Sequence, residues 1–158
     1  MARTTPATLA LDSASLPYEL IEYQMQPHKE GYGHAVVAAT GQAAEQVFKT
    51  LMVVHEGTLV TAMVPVAAVL DLKAAAKALG GKKVQLASQA QAERATGYKV
   101  GGISALGQRQ PHPCLLDASA LSFEHIYISG GLRGLEIGIA PQDLVKATQA
   151  QIAAIARF

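Results

Sequence analysis

Tryptophan is absent from this 158-residue chain, and cysteine occurs once, at Cys114. A lone cysteine excludes an internal disulfide, and the five histidines show no metal-ligand spacing, so neither a metal nor a cofactor is expected. No apolar run approaches the roughly 20 residues that a membrane-spanning helix needs. The N-terminal stretch Met1 to Pro6 lacks the basic region and apolar core of a leader. The expectation is a soluble, cytoplasmic protein in a reducing compartment, with no membrane partner. Aromatics make up 5% of residues, so the core has to be built from small aliphatic side chains. The length fits one domain, 1–158, that buries roughly two-thirds of its unfolded surface.

Net charge is also scarce, at +1, which argues against a generic nucleic-acid binder. Its distribution is uneven: residues 1–48 carry −3, residues 49–110 carry +5 and residues 111–158 carry −1. If Lys49, Lys82, Lys83, Arg94, Lys99 and Arg109 converge on one side, an RNA end can dock there through a few phosphate contacts. A scatter of solvated side chains is the alternative.

What is present is led by VFKTLMVV, residues 47–54. On a strand, Val47, Lys49, Leu51 and Val53 share one face while Phe48, Thr50, Met52 and Val54 share the other. Both faces are apolar, as in a central strand covered on both sides. Lys49 therefore either snorkels to an edge or points its ammonium into a cavity that needs a positive charge.

Around it, Thr5-Pro6 caps a helix over 7–15, a strand follows at 18–24, and Gly41 closes a helix over 34–40. The central strand turns at His55-Glu56-Gly57 into a partner over 58–66. Asp71 opens a helix to 79, residues 82–86 form a strand, and the Ser88/Gln91 capping box starts a helix over 89–95. Strands at 113–117, 125–129 and 135–139 precede a final helix from Pro141, whose Leu144, Val145, Ile152 and Ile155 are expected to dock on the sheet. Helices and strands without a strict βαβ rhythm indicate an α+β fold with a mixed sheet.

Two glycine pairs stand out. Gly101-Gly102-Ile103-Ser104 lacks the Lys-Ser/Thr of a phosphate loop, but it can expose backbone N–H groups to an oxyanion. Ser129-Gly130-Gly131, at a strand end, suits a pocket mouth. Ser104 has no nucleophile-elbow context and Cys114 begins an apolar strand, so neither has the setting of a nucleophile. Tyr23, Tyr32 and Tyr98 are consistent either with core edges or with stacking on a base.

Four ordered strings carry a resemblance to a known family: VFKTLMV around Lys49, VPVAAVLDLKAAAKALGGKKV at 64–84, ATGYKVGGISALGQ at 95–108 and IYISGGLRGLEI at 126–137. With these, the chain resembles the YbaK family of bacterial Cys-tRNA(Pro) deacylases, relatives of the editing domain of prolyl-tRNA synthetase. The resemblance implies a strongly twisted, barrel-like mixed sheet surrounded by helices. Its cleft would receive the aminoacylated 3′ end of a misacylated tRNA, with prolyl-tRNA synthetase as a partner. It implies that Lys49 orients the terminal adenosine or its phosphate, that Gly101, Gly102 and Ile103 form the catalytic loop, and that Tyr23, Tyr32, Thr50, Ser129, Gly130 and Glu136 bind substrate. The chemistry implied is attack by the thiol of the misattached cysteine on its own ester. The alternatives are an alanyl or broad-specificity deacylase that uses water, and a non-catalytic module that binds tRNA or the synthetase. Two departures bear on specificity: Ala105 stands where the family loop commonly has proline, and Glu136 where relatives often have aspartate.

Overall fold

The computed structural model describes residues 3–158; Met1 and Ala2, the first residues of the stretch read above for a leader, lie outside the described residues. The elements are α1 (Pro6–Ser13), β1 (Glu19–Glu22), α2 (Tyr32–Thr40), β2 (Phe48–His55), β3 (Thr58–Pro65), β4 (Val69–Leu70), α3 (Leu72–Ala78), β5 (Val84–Leu86) and α4 (Gln89–Thr96). They continue with β6 (Cys114–Asp117), a 3-10 turn (Ala118–Ser122), β7 (Ile126–Ser129), β8 (Leu135–Ile139), α5 (Pro141–Thr148), β9 (Gln151–Ala153) and β10 (Ala156–Arg157). The fold is α+β, with a mixed five-stranded sheet in the order β5-β2-β3-β6-β9, a three-stranded sheet β1-β8-β7 and the pair β10-β4.

β2 and β3 form an antiparallel hairpin from Phe48 opposite Pro65 to His55 opposite Thr58. Its two-residue turn, Glu56-Gly57, has both residues at positive φ, 50° and 79°. That geometry matches the right-handed twist of the flanking strands. The alternation in 47–54 sorts as its pattern requires. Phe48 enters one core with Met63, Leu116, Ile128 and Ile137. Val53 enters a second with Val60, Ala62, Val64 and Ala75, against which Leu51 packs.

The local caps are where the sequence places them. Thr5 and Thr8 form a capping box, Ser88 and Gln91 form another, the Asp71 side chain accepts from the Ala74 amide, and Gly41 and Gly97 end their helices in left-handed geometry. Two expectations are corrected. The last helix stops at Thr148, because Gln149 turns left-handed at φ 57°. Residues 151–153 and 156–157 then pair as strands with β6 and β4. The sheets do not close into a barrel: a single parallel bridge, Val47 to Tyr127, joins the three-stranded sheet to the five-stranded one among the described residues. Asp117 locks the C-terminal return, its Oδ1 accepting from the amides of Ile155 and Ala156 at 2.8 Å each.

Candidate active site

Where β2 leaves the five-stranded sheet for this bridge, a cleft of about 450 Å³ opens. Its walls are the first half of β2, the ends of β7 and β8, the start of α2 and the loop after α4. Lys49, Thr50, Gly101, Ile103, Tyr23, Tyr32, Ser129 and Glu136 line it together, although up to 113 positions separate them in the chain. Of the basic residues in the middle third of the sequence, Lys49 alone lies in this lining.

Lys49 sits opposite Val64 on the β2–β3 ladder, half-buried. Among the described residues no carboxylate lies within ion-pair distance of its ammonium. Burial pushes its pKa down, because removing a charge from water disfavours the charged form. An unpaired cation in a largely apolar cleft is matched to an anion brought in from outside. Beside it, the Thr50 hydroxyl is buried without a partner.

Glu136 is the second orphan. It is 2% exposed, its Oε1 accepts from Gln42 Nε2 at 2.7 Å, and its Oε2 has no protein partner. Burial raises its pKa to about 7; the Gln42 hydrogen bond opposes that rise and the nearby Glu19 adds to it. Tyr23, half-buried on the same wall, has its phenol pKa raised by burial. Ser129 lies directly across the ladder from Glu136 and accepts from the Gly131 amide.

The loop after α4 is held at both ends. Tyr98 is core, 4% exposed, and its hydroxyl donates to the Leu106 carbonyl at 2.6 Å. Arg133 donates from Nε and Nη2 to the Val100 carbonyl at 2.8 and 2.6 Å. Gly101, at φ 93°, is left beneath Tyr32 and Arg133, where an added Cβ would meet Arg133 Nε at 2.7 Å and the Tyr32 ring at 2.9 Å. Both the backbone angle and the space therefore require glycine. The Gly101 and Ile103 amides donate to nothing among the described residues, whereas the Gly102 amide is taken by the Lys99 carbonyl.

Two expected site glycines fall outside the lining. Gly102 is buried against the Leu132–Arg133 backbone, where a Cβ would meet the Leu132 carbonyl carbon at 2.9 Å. Gly130 is walled in by Leu135, with its carbonyl accepting from the Thr5 hydroxyl at 2.6 Å. Close packing, against backbone at Gly102 and chiefly against the Leu135 side chain at Gly130, accounts for glycine at both. Ala105, the departure from proline, also lies outside the lining and packs against the core. Arg133 and Gln42 were not singled out by sequence reasoning. Arg133 sits within the IYISGGLRGLEI string, and the adjoining glycine pair is its signal. Gln42 has none, since its partner is 94 positions away.

The aminoacyl-tRNA editing domain family matches residues 28–147, three-quarters of the chain and every wall of this cleft except the Tyr23 side. The chain belongs to the aminoacyl-tRNA editing domain family. A protein of Enterococcus faecalis named as a Cys-tRNA(Pro)/Cys-tRNA(Cys) deacylase, EbsC, is 33% identical over 153 residues, 96% of this chain and 92% of that protein. Among solved structures, one described as a trans-editing enzyme for prolyl-tRNA synthetase superposes with a TM-score of 0.83 at 24% identity, covering 99% of this chain and all of that one. The protein APE2540 gives 0.84 at 25% identity, covering 97% and 100%. These matches place the editing-domain fold across nearly the whole chain.

Neither candidate protein nucleophile reaches the cleft. Ser104 is fully buried, its hydroxyl accepting from the Leu106 amide. Cys114 is buried, and burial raises its thiol pKa to about 12. Among the described residues no group of His, Cys, Asp and Glu could hold a metal ion, and no helix is long and apolar enough to cross a membrane.

Proposed function

We propose that the whole chain, 1–158, acts as one trans-editing aminoacyl-tRNA deacylase that removes cysteine from mischarged Cys-tRNA(Pro). The observation that carries the reading is the unpaired Lys49 ammonium in the same cleft as the free Gly101 and Ile103 amides, with neither Ser104 nor Cys114 in its lining. Such a site can bind and polarise an ester, but it leaves the attack to the substrate. Lys49 takes the terminal adenosine through its phosphate. The two free amides receive the negative charge that develops on the ester oxygen, and Tyr23, Tyr32, Thr50 and Ser129 surround the aminoacyl-adenosine. Glu136 faces its amino group.

With cysteine as the amino acid, the substrate's own sulfur attacks the ester carbonyl. A sulfur–carbon bond forms, the ester carbon–oxygen bond breaks, and the ribose oxygen leaves with the proton given up by the thiol. The products are a cyclic thiolactone and free tRNA. The protein contributes by holding the chain ends in a cyclising geometry, an effect worth several powers of ten in rate. The EbsC relative supports cysteine as the amino acid. A net charge of +1, with a single lysine in the cleft, supports a partner such as prolyl-tRNA synthetase holding the tRNA body, in the cytoplasm.

The test is deacylation of Cys-, Ala- and Ser-tRNA(Pro) and Cys-tRNA(Cys) by the wild type and by Lys49→Ala. Cysteine alone is expected to be released, with at least a ~10²-fold loss in the variant. Release of alanine as fast as cysteine would replace cyclisation by water attack. Unchanged turnover in Lys49→Ala would remove Lys49 from the mechanism, and binding without turnover would leave a docking module.

A further inference from the structure

Gln42 stands just past the C-terminus of α2, outside the cleft lining. Its Nε2 reaches Glu136 Oε1 at 2.7 Å, and its own Oε1 is buried with no partner. Two acceptor atoms, Gln42 Oε1 and Glu136 Oε2, are therefore buried and unpaired on side chains joined by that hydrogen bond, and each costs free energy until a donor arrives. A lone structural glutamine would be expected to satisfy itself. This one satisfies half of a carboxyl group and leaves the other half free.

We propose that Gln42 is a positioning residue for the substrate's amino group: by holding Glu136 through Oε1, it presents Oε2 to the cleft as the acceptor for an α-ammonium. This rests on the reading of the cleft as an aminoacyl-ester site. A carboxyl so placed holds its proton more readily when the cleft is empty and gives it up more readily when a cation lies against it. A primary amide suits both: its NH2 donates to the ionised form, and its carbonyl, after a half-turn of the amide, accepts from the protonated one. Leucine or methionine at position 42 can do neither.

The other charged or titratable groups around Glu136 leave Gln42 as the group that holds it. Glu19, on β1, opposes its ionisation. Tyr23, just beyond β1, has its own phenol raised partly by Glu136. Lys49, from β2, lines the same cleft. Glu30, just before α2, and His34 on α2 contact each other at 3.6 Å, and Ser129 on β7 does not titrate.

The experiment compares cysteinyl-tRNA with N-acetyl-cysteinyl-tRNA, which keeps the thiol but lacks the ammonium, in wild type, Gln42→Leu, Glu136→Gln and the double variant. Each protein is also titrated by carboxyl-carbon NMR of labelled glutamate. Wild type is expected to favour the free amine by about tenfold or more. Gln42→Leu should lose most of that preference through KM, with kcat altered less than about threefold. In the same variant the Glu136 titration should move to higher pH, because the donor that favours the anion is gone. In the Glu136→Gln background, Gln42→Leu should change the preference no further. Equal losses on both substrates with an unmoved Glu136 titration would overturn the proposal and make Gln42 a scaffold residue. If the wild type cleaves neither substrate, the deacylase reading fails, and binding of cysteine methyl ester against its N-acetyl derivative then decides the role of Gln42 in the same way. Should Gln42→Leu not fold, Gln42→Asn, which is too short to reach Oε1, carries the same expectations.

Discussion

The guanidinium of Arg133 lies 4.8 Å from the centre of the Tyr32 ring while donating two hydrogen bonds to the Val100 carbonyl. One exposed side chain from the β7–β8 connection thus joins the aromatic wall of the cleft to the loop carrying the free Gly101 amide. Arg133→Gln is expected to lower the deacylation rate by about tenfold with little change in thermal midpoint, since what it loses is the placement of the proposed oxyanion donor. Arg133→Lys should not rescue it, because a point charge cannot hold the carbonyl with two parallel donors and also stack on the ring. Steady-state kinetics of the two variants check this.

Glu136 imposes a pH dependence on stability. Its folded pKa, about 7, lies above the ordinary value of 4.5, so the folded protein holds this proton more tightly than the unfolded chain does. The stabilisation is complete below about 4.5 and is lost as pH rises through about 7. The expected loss is about 3 kcal/mol between those limits. Urea unfolding at pH 5 and pH 8 should show this fall in the wild type and a clearly smaller one in Glu136→Gln.

The proposed substrate-borne nucleophile makes the Cys114 thiol and the Ser104 hydroxyl dispensable. Cys114→Ala and Ser104→Ala are each expected to retain turnover within about threefold. Cys114→Ala should lower stability by about 1 kcal/mol through the lost packing of a small buried group. Alkylation of the folded protein at pH 8 should be slow, with the thiol pKa raised to about 12. A hundredfold loss of turnover in either variant would reinstate a protein nucleophile.

Asp117 receives three backbone amides: those of Ile155 and Ala156 at Oδ1, and that of Ser119 at Oδ2. Asp117→Ala leaves the three donors to find water in a place where Asp117 was 3% exposed. A cost of about 3 kcal/mol is expected. Chemical denaturation measures it, and amide exchange should accelerate first in β9 and β10.

Local signals in the sequence were legible wherever the physics is local. The alternation over 47–54 marked β2, and the caps at Thr5, Asp71 and Ser88 and the closing glycines at 41 and 97 marked helix ends, because each is decided within four residues. The C-terminus was misread for the same reason. Leu144, Val145, Ile152 and Ile155 continue a helical spacing, and nothing in Gln149 announces a left-handed residue; pairing with β6 and β4, far away in the chain, overrides the periodicity. The missing barrel closure is likewise a matter of distant pairing. At the site, Lys49 stood out because a charge among aliphatics is locally anomalous. Gly102 and Gly130 looked equivalent to Gly101, since a glycine required by close packing away from the cleft and one held at positive φ in the cleft wall are written with the same letter.

The Val47–Tyr127 bridge, the one link of its kind between the two larger sheets among the described residues, sets how the cleft can breathe. Val47 is two residues before Lys49, and Tyr127 is two residues before Ser129, so the seam lies one strand repeat from each wall of the cleft. The Tyr127 amide donates to the Gln46 carbonyl across it. Parting that seam would carry Lys49 and Thr50 away from Ser129 and Glu136 while each sheet kept its own ladder. Solvent exchange at the Tyr127 amide therefore reports the opening of the mouth through which a bulky RNA end must pass, as an event separate from global unfolding.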